Sequence, residues 1–346
     1  MRVARFYAPG DIRLEDIDEP TPGPAEVKIR VRACSTCGTD VKISRFGHHH
    51  IDPPRVMGHE IAGEVVEVGA DVPGWTAGDR VQVIAAIPCG ECSFCAAGQQ
   101  NICPNQVSMG YHFDGGFAEF MIVPVNVLNV DGLNRIPDGL SFEEASVAEP
   151  LACALNAQEL VRINPGDDVV VVGSGPIGCL HVRLARSFGA GRVFLVELSR
   201  ERLDMAAALV SPDAAICSAD TDPIATIREL TDGRGVDVAI TAAASGAAQE
   251  QALQMLARGG RISFFGGLPK DKPTITLDSN LVHYSELTIV GANGSSPDHN
   301  KRALQLIAEG KVPVKDLITH RLPLDQVLDG IGIVSRGEAI KVTILP

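Results

Sequence analysis

Short apolar runs, some alternating with polar residues and some continuous, dominate the first 150 positions. VKIRVRAC at 27–34, EIAGEVVEVG at 60–69, DRVQVIAA at 79–86 and FAEFMIVP at 117–124 each predict a β-strand, separated by Gly, Pro and Asp turns. The N-terminal MRVARFYAPGDIRLEDI predicts one further strand with charges interspersed. After Glu149-Pro150 the pattern changes. An Ala/Leu-rich helical stretch, ACALNAQELVRI, leads through Asn164-Pro165-Gly166-Asp167 into the apolar strand VVVV. From there strands at 168–172, 192–198, 214–217, 236–242, 261–265 and 286–291 alternate with helical segments. Strands that are apolar throughout belong to parallel sheets with both faces covered by helices.

Residues 299–310 then predict a helix, HNKRALQLIAEG, and EAIKVTIL a terminal strand. Six strands already complete a doubly wound sheet, so this tail is assigned to the first domain. The predicted fold is α/β: a β-rich domain over 1–151 and 292–346, and a doubly wound parallel-sheet domain over 152–291.

Composition narrows the range of partners. The chain has 346 residues and a formal net charge of −13, a balance that repels nucleic acid phosphates and anionic lipid heads and favours a small-molecule partner. No run reaches the ~18 to 20 apolar residues of a membrane span. The first residues lack the basic start and apolar core of a secretory signal, so the expected compartment is the cytoplasm. There are nine cysteines, four of them between 89 and 103, and in a reducing compartment metal ligation explains that cluster better than disulfides.

Three motifs carry chemistry. Gly173-Ser174-Gly175-Pro176-Ile177-Gly178 fits G-x-G-x-x-G and lies between the VVVV strand and a predicted helix, where a dinucleotide fingerprint belongs. Its glycines let a pyrophosphate approach backbone N–H groups at the helix N-terminus. The second strand ends in Glu197, a carboxylate placed to accept hydrogen bonds from adenosine ribose hydroxyls and to disfavour a 2′-phosphate. This predicts NAD over NADP, with Arg200 and Arg202 close enough in sequence to soften the preference. Cys89, Cys92, Cys95 and Cys103 provide four thiolates on one short loop, enough to close a tetrahedron around a structural Zn²⁺. A dispersed third set comprises Cys37 in Cys37-Gly38-Thr39-Asp40, His59-Glu60, and Glu149. A thiolate, an imidazole and a carboxylate are the mixed ligands of a catalytic zinc with one open position.

On these motifs the chain resembles the zinc-containing medium-chain dehydrogenase/reductase family, and within it the branch of sorbitol (L-iditol) and L-threonine dehydrogenases. The family pattern G-H-E-x2-G-x5-G stands here as Gly58-His59-Glu60-x2-Gly63-x5-Gly69, followed in family order by the four-cysteine loop and the glycine fingerprint. The resemblance spans essentially the whole chain. It implies a GroES-like catalytic domain and a Rossmann cofactor domain, with Cys37, His59 and Glu60 on the catalytic zinc and Glu149 exchanging there or acting through water. It also implies Thr39 as first proton acceptor, a polyol or sugar alcohol as substrate, and a homodimer or homotetramer.

Two positions depart from the branch. Lys42 stands where a histidine commonly passes the proton to solvent, and Gly291-Ala292-Asn293-Gly294 replaces an Arg-aromatic pair. Other features have simpler explanations. Cys34-x2-Cys37 resembles a redox dithiol, but thioredoxin-like motifs precede a helix, and Cys37 is better explained as a zinc ligand with Cys34 packed in the preceding strand. His48-His49-His50 predicts a solvated loop, because three consecutive side chains do not converge easily on one ion. Lys42 and Arg45 are either an anion-binding pair or surface charges.

Overall fold

In the computed structural model, which describes residues 1–346, the strand Val27–Ser35 is the axis of the first of two compact units. It pairs antiparallel with Glu60–Val68 on one side and with Lys341–Leu345 on the other. Arg80–Val83 and Leu133–Arg135 extend the sheet beyond Glu60–Val68, while Ile318–Pro323 closes the opposite edge and Phe120–Val123 also pairs with Val27–Ser35. Val27, Ile29, Val31, Ile61, Val65, Val81 and Val342 fill its core. This unit comprises Met1–Ala152 and Gly294–Pro346.

Three local predictions are corrected. The N-terminal segment is two strands, Arg2–Ala8 and Asp11–Asp16, paired antiparallel around Pro9-Gly10. Proline presets the first turn position, and Gly10 at φ 79° supplies the second. Residues 38–46, unassigned from sequence, form the helix Gly38–Phe46. The C-terminal tail contains, beyond the expected helix and strand, Ile318–Pro323 and the helix Val327–Arg336. Ile318–Pro323 runs parallel to Lys341–Leu345, and parallel neighbours need a crossover connection, which the helix provides.

The second unit, Cys153–Asn293, carries a six-stranded sheet in the order Ala214–Cys217, Arg192–Glu197, Asp168–Val172, Val236–Thr241, Leu256–Phe264, Thr288–Gly291. Every pairing is parallel, and in chain order the arrangement is 3-2-1-4-5-6, the doubly wound order of a Rossmann fold. The fifth strand begins at Leu256, earlier than its apolar run suggests, with Arg258, Gly259 and Gly260 included. Asp168–Val172 is buried along its whole length, and the order reverses beside it, so its C-terminal end is the switch point where such sheets bind ligands. No helix is long and apolar enough to cross a membrane.

Candidate functional site

At that switch point the chain turns through Gly173, at φ 112°, into the helix Pro176–Ser187, with Gly175 as N-cap, Pro176 at the first helical position and Ile177 after it. A Cβ on Gly178 would lie 1.9 Å from the Gly173 carbonyl oxygen, so only glycine lets helix and strand pack this closely. Glu197 folds back onto this loop. Its Oε2 accepts from the Ser174 backbone N–H and hydroxyl, both at 2.9 Å, and its Oε1 from the N–H groups of Leu198 at 2.8 Å and Ser199 at 3.2 Å. Burial pushes its carboxyl up. These donors and the charge of Arg202 outweigh burial and hold its pKa below the usual carboxylate value. Arg202 lies over the loop, with a guanidinium nitrogen 3.1 Å from where a Gly175 Cβ would stand.

In the first unit, the four cysteines of the 89–103 loop converge. Their sulfurs are 3.5 Å apart for Cys92–Cys95 and Cys89–Cys103, 3.8 Å for Cys92–Cys103 and 4.0 Å for Cys89–Cys95. A tetrahedron with ~2.3 Å Zn–S bonds has edges of about 3.8 Å, so this donor set fits Zn²⁺. Backbone N–H groups of Glu91 and Cys92 bring the Cys89 thiol down to about 6, whereas burial and neighbouring thiols push Cys95 up to about 12.

The second set is built from separate elements. Cys37 caps the helix Gly38–Phe46, its Sγ accepting from the Thr39 N–H at 3.3 Å while Asp40 Oδ2 accepts from the Cys37 N–H at 2.8 Å. A helix does follow Cys34-x2-Cys37, so the contrast with redox motifs is corrected on that point. Cys34 itself is buried in the strand Val27–Ser35 and unpaired. Gly58, at φ 91°, brings the chain to His59, and a Cβ there would stand 2.7 Å from Cys34 Sγ and 2.9 Å from the Phe117 ring. Glu60 opens the next strand. The ligand atoms of Cys37, His59 and Glu60 all lie within 4.8 Å of one another.

Glu149, in the first turn of Ala148–Val161, is buried and falls outside that mutual grouping. Its charge still acts on His59, Glu60, Lys341 and Tyr111.

Burial disfavours a charged His59, yet Cys37, Asp40 and Glu149 outweigh it and hold the imidazole well above its ordinary pKa. Burial, with the like charge of Glu149, raises Glu60 to about 7 against Lys341 and His59. Asp40 is completely buried, and its Oδ1, without a hydrogen-bond partner, lies 3.8 Å from His59 Nδ1. A carboxylate behind a histidine is the usual support of a metal ligand, so the mixed donors with Asp40 behind His59 fit a divalent cation.

Two residues were missed from sequence. Lys341, buried in the terminal strand, forms an ion pair with Glu60. Its signal was a lone lysine within an otherwise apolar run. Tyr111 hydrogen-bonds to Thr39, and burial with the charges of Cys37, Asp40 and Glu149 pushes its phenol pKa up. Of the two exposed cations on the capped helix, Arg45 bonds Ser335 and Lys42 remains at the surface.

The chain matches the alcohol dehydrogenase GroES-like domain over 23–131 and the zinc-binding dehydrogenase domain over 176–309. It is 34% identical to a sorbitol dehydrogenase of Halalkalibacterium halodurans, over 99% of this chain and 98% of that protein. Identity is 35% to an L-threonine 3-dehydrogenase of Pyrococcus horikoshii, over 96% of this chain and 94% of the relative. A zinc-binding dehydrogenase of Sinorhizobium meliloti, solved bound to NADP, superposes with a TM-score of 0.90 at 31% identity, covering 100% and 99% of the two chains.

Proposed function

Because the chain belongs to the zinc-containing medium-chain dehydrogenase/reductase family, in its sorbitol and L-threonine dehydrogenase-like branch, we propose that it oxidises a secondary alcohol of a polyol or sugar with NAD as hydride acceptor. It is a zinc-binding oxidoreductase that uses a nicotinamide cofactor. The convergence of Cys37, His59 and Glu60, with the Thr39 backbone N–H donating to Cys37 Sγ, supports this reading above all else. In it, those three residues hold the catalytic zinc, Cys89, Cys92, Cys95 and Cys103 hold a second, structural zinc, and the loop from Gly173 to Gly178 with Glu197 and Arg202 holds the cofactor.

Held by Cys37, His59 and Glu60, a Zn²⁺ would lower the pKa of a coordinated water from ~15.7 to about 7 and would acidify a coordinated alcohol in the same way. The chain's own residues do the rest. Thr39 would relay the proton leaving the substrate hydroxyl, accepting it as its own hydroxyl proton passes to a further acceptor, and its hydrogen bond to Tyr111 fixes where its oxygen points. Lys341 pairs with the Glu60 carboxylate and would remain its partner if Glu60 left the metal, so that no buried charge would be stranded. A vicinal diol presents two oxygens to such a site where a simple alcohol presents one, which makes diols and polyols better substrates than ethanol.

The test is the formation of reduced cofactor, followed by absorbance, with ethanol, 2,3-butanediol, sorbitol, galactitol, inositols, a hexitol phosphate and L-threonine at fixed NAD. A polyol is expected to lead. L-threonine in first place moves the assignment to an amino-alcohol dehydrogenase. Binding of the cofactor with no turnover on any alcohol makes the chain a non-catalytic nucleotide-binding zinc protein.

A further inference from the structure

The histidine triplet lies in a loop, as expected, and its rings form a row leading away from the mixed-ligand site. Tyr111 lies 6.1 Å from the His59 ring, centroid to centroid, and meets His48 edge-on at 4.9 Å. His48 continues to His49 at 4.5 Å and to His50 at 5.4 Å, and His50 reaches His112, from a different loop, at 5.0 Å. His49 and His50 are exposed, while His48 and His112 are half-buried.

Ring protonation decides what this row binds. His48 Nδ1 accepts the backbone N–H of His50 at 3.3 Å, and His112 Nδ1 accepts that of Ser108 at 3.1 Å. A ring nitrogen that accepts is unprotonated, so each neutral ring carries its proton on Nε2. A metal needs the reverse: a lone pair toward the ion and the other nitrogen donating its N–H. These two rings therefore suit an oxygen acceptor, and a cation would have to break a backbone hydrogen bond or displace a proton. Burial keeps the His112 pKa low, with His50 and Arg55 adding to that and Asp52 opposing it, and Arg55 is itself paired with Asp114 at 3.1 Å.

We propose that His48, His50 and His112 form an oxyanion subsite for the far end of the substrate, so that the preferred polyol carries a phosphate or carboxylate beyond its reacting carbon. This rests on the dehydrogenase reading above for the word substrate, and on the ring geometry for the subsite itself. It also moves anion recognition away from Lys42 and Arg45.

The test uses the full chain loaded with zinc and saturated with NAD, so that the glycine loop is already filled. Histidine side-chain nitrogen resonances are followed while inorganic phosphate, and separately acetate, is added. The Nε2 signals of His48 and His112 are expected to shift and saturate. His50→Ala, at an exposed position, and His112→Ala are each expected to weaken phosphate binding at least tenfold, and Lys42→Ala less than twofold. Tighter phosphate than acetate assigns a phosphate-bearing substrate; equal or tighter acetate assigns a carboxylate. The proposal is overturned by the absence of a saturable shift up to roughly 100 mM, a range that captures millimolar affinities. It is also overturned if Lys42→Ala weakens binding as much as the histidine variants, or if added Ni²⁺ saturates these signals while phosphate does not. Because the readout is not turnover, an inactive chain with saturable shifts keeps the subsite and sinks the dehydrogenase reading, and an active chain without shifts does the reverse.

Discussion

Lys341 and Glu60 form an ion pair in which the side chains are only 3% and 1% exposed, joining the terminal strand to the residue that follows His59. Removing one partner of such a pair leaves the other charge buried and uncompensated, at a cost of about 3–5 kcal/mol. Lys341→Met is therefore expected to lower stability by that order in metal-free protein, measured by denaturant unfolding. Glu60→Gln added to Lys341→Met is expected to recover much of the loss. A double variant no more stable than Lys341→Met would mean that the pair acts through packing and not through charge.

Separable metal roles follow from the two donor sets, one of four sulfurs and one mixed. Metal analysis of purified active protein is expected to give two zinc ions per chain. Structural zinc contributes on the order of 10–16 kcal/mol of apparent binding free energy in small zinc-finger peptides, so Cys92→Ser should markedly loosen the loop and lower thermal stability. Cys37→Ser and His59→Ala should abolish turnover while most of the fold remains. One zinc or none in active protein contradicts the assignment.

How far these sites were legible depends on whether their signals are local. Gly173 to Gly178 could be read because close backbone approach demands glycine, and the central strands because burial on both faces makes them continuously apolar. The four cysteines stood out because fifteen residues of loop have no packing use for so many thiols. The helix Gly38–Phe46 was not legible, since its N-cap is a cysteine and its apolar face is narrow. Lys341 and Tyr111 were missed because their roles come from contacts with distant residues, and nothing beside them in the chain signals Glu60 or Thr39.

Cofactor choice should turn on Glu197. Its two oxygens already accept four hydrogen bonds from the Ser174, Leu198 and Ser199 groups, which fills the usual capacity of a carboxylate. A ribose hydroxyl must displace one of these donors to bind it, while the fixed negative charge still repels a 2′-phosphate. NAD is expected to be the better cofactor, and Glu197→Ala to shift the ratio of catalytic efficiencies toward NADP with Arg202 left in place. Equal or better efficiency with NADP in the unaltered protein would refute the preference.

The foot of the parallel sheet predicts an acid-sensitive contribution to stability. Asp168 is buried and accepts from Arg192 at 2.6 and 2.9 Å and from Arg234 at 2.6 Å, and chiefly the hydrogen bond to Arg192 lowers its pKa. A carboxyl whose folded pKa lies below its unfolded value contributes fully above the unfolded value, near 3.9, and loses that contribution as pH falls through the folded one. Asp168→Asn should thus destabilise by about 1–3 kcal/mol at pH 7. The gap from the parent should close in strongly acidic solution, as measured by urea unfolding across pH, and a gap that stays constant with pH would show that charge is not its source.

Assembly follows from the last strand of that sheet. Thr288–Gly291 pairs only with Leu256–Phe264 and ends the sheet, leaving one row of backbone N–H and C=O groups without strand partners. Its Ile289 and Val290 are only half-buried, whereas the central Val169, Val170 and Val171 are fully buried. An apolar edge of this kind invites pairing, and natural sheets blunt it with charge, proline or a cover. The strand TIVG contains neither charge nor proline. A second copy related by a two-fold axis would continue the sheet through identical edges, an isologous contact that closes on itself. A homodimer, or a homotetramer built from such dimers, is therefore expected by light scattering at micromolar concentration, and Val290→Lys should shift it toward monomer. A monomeric parent protein would rule this interface out.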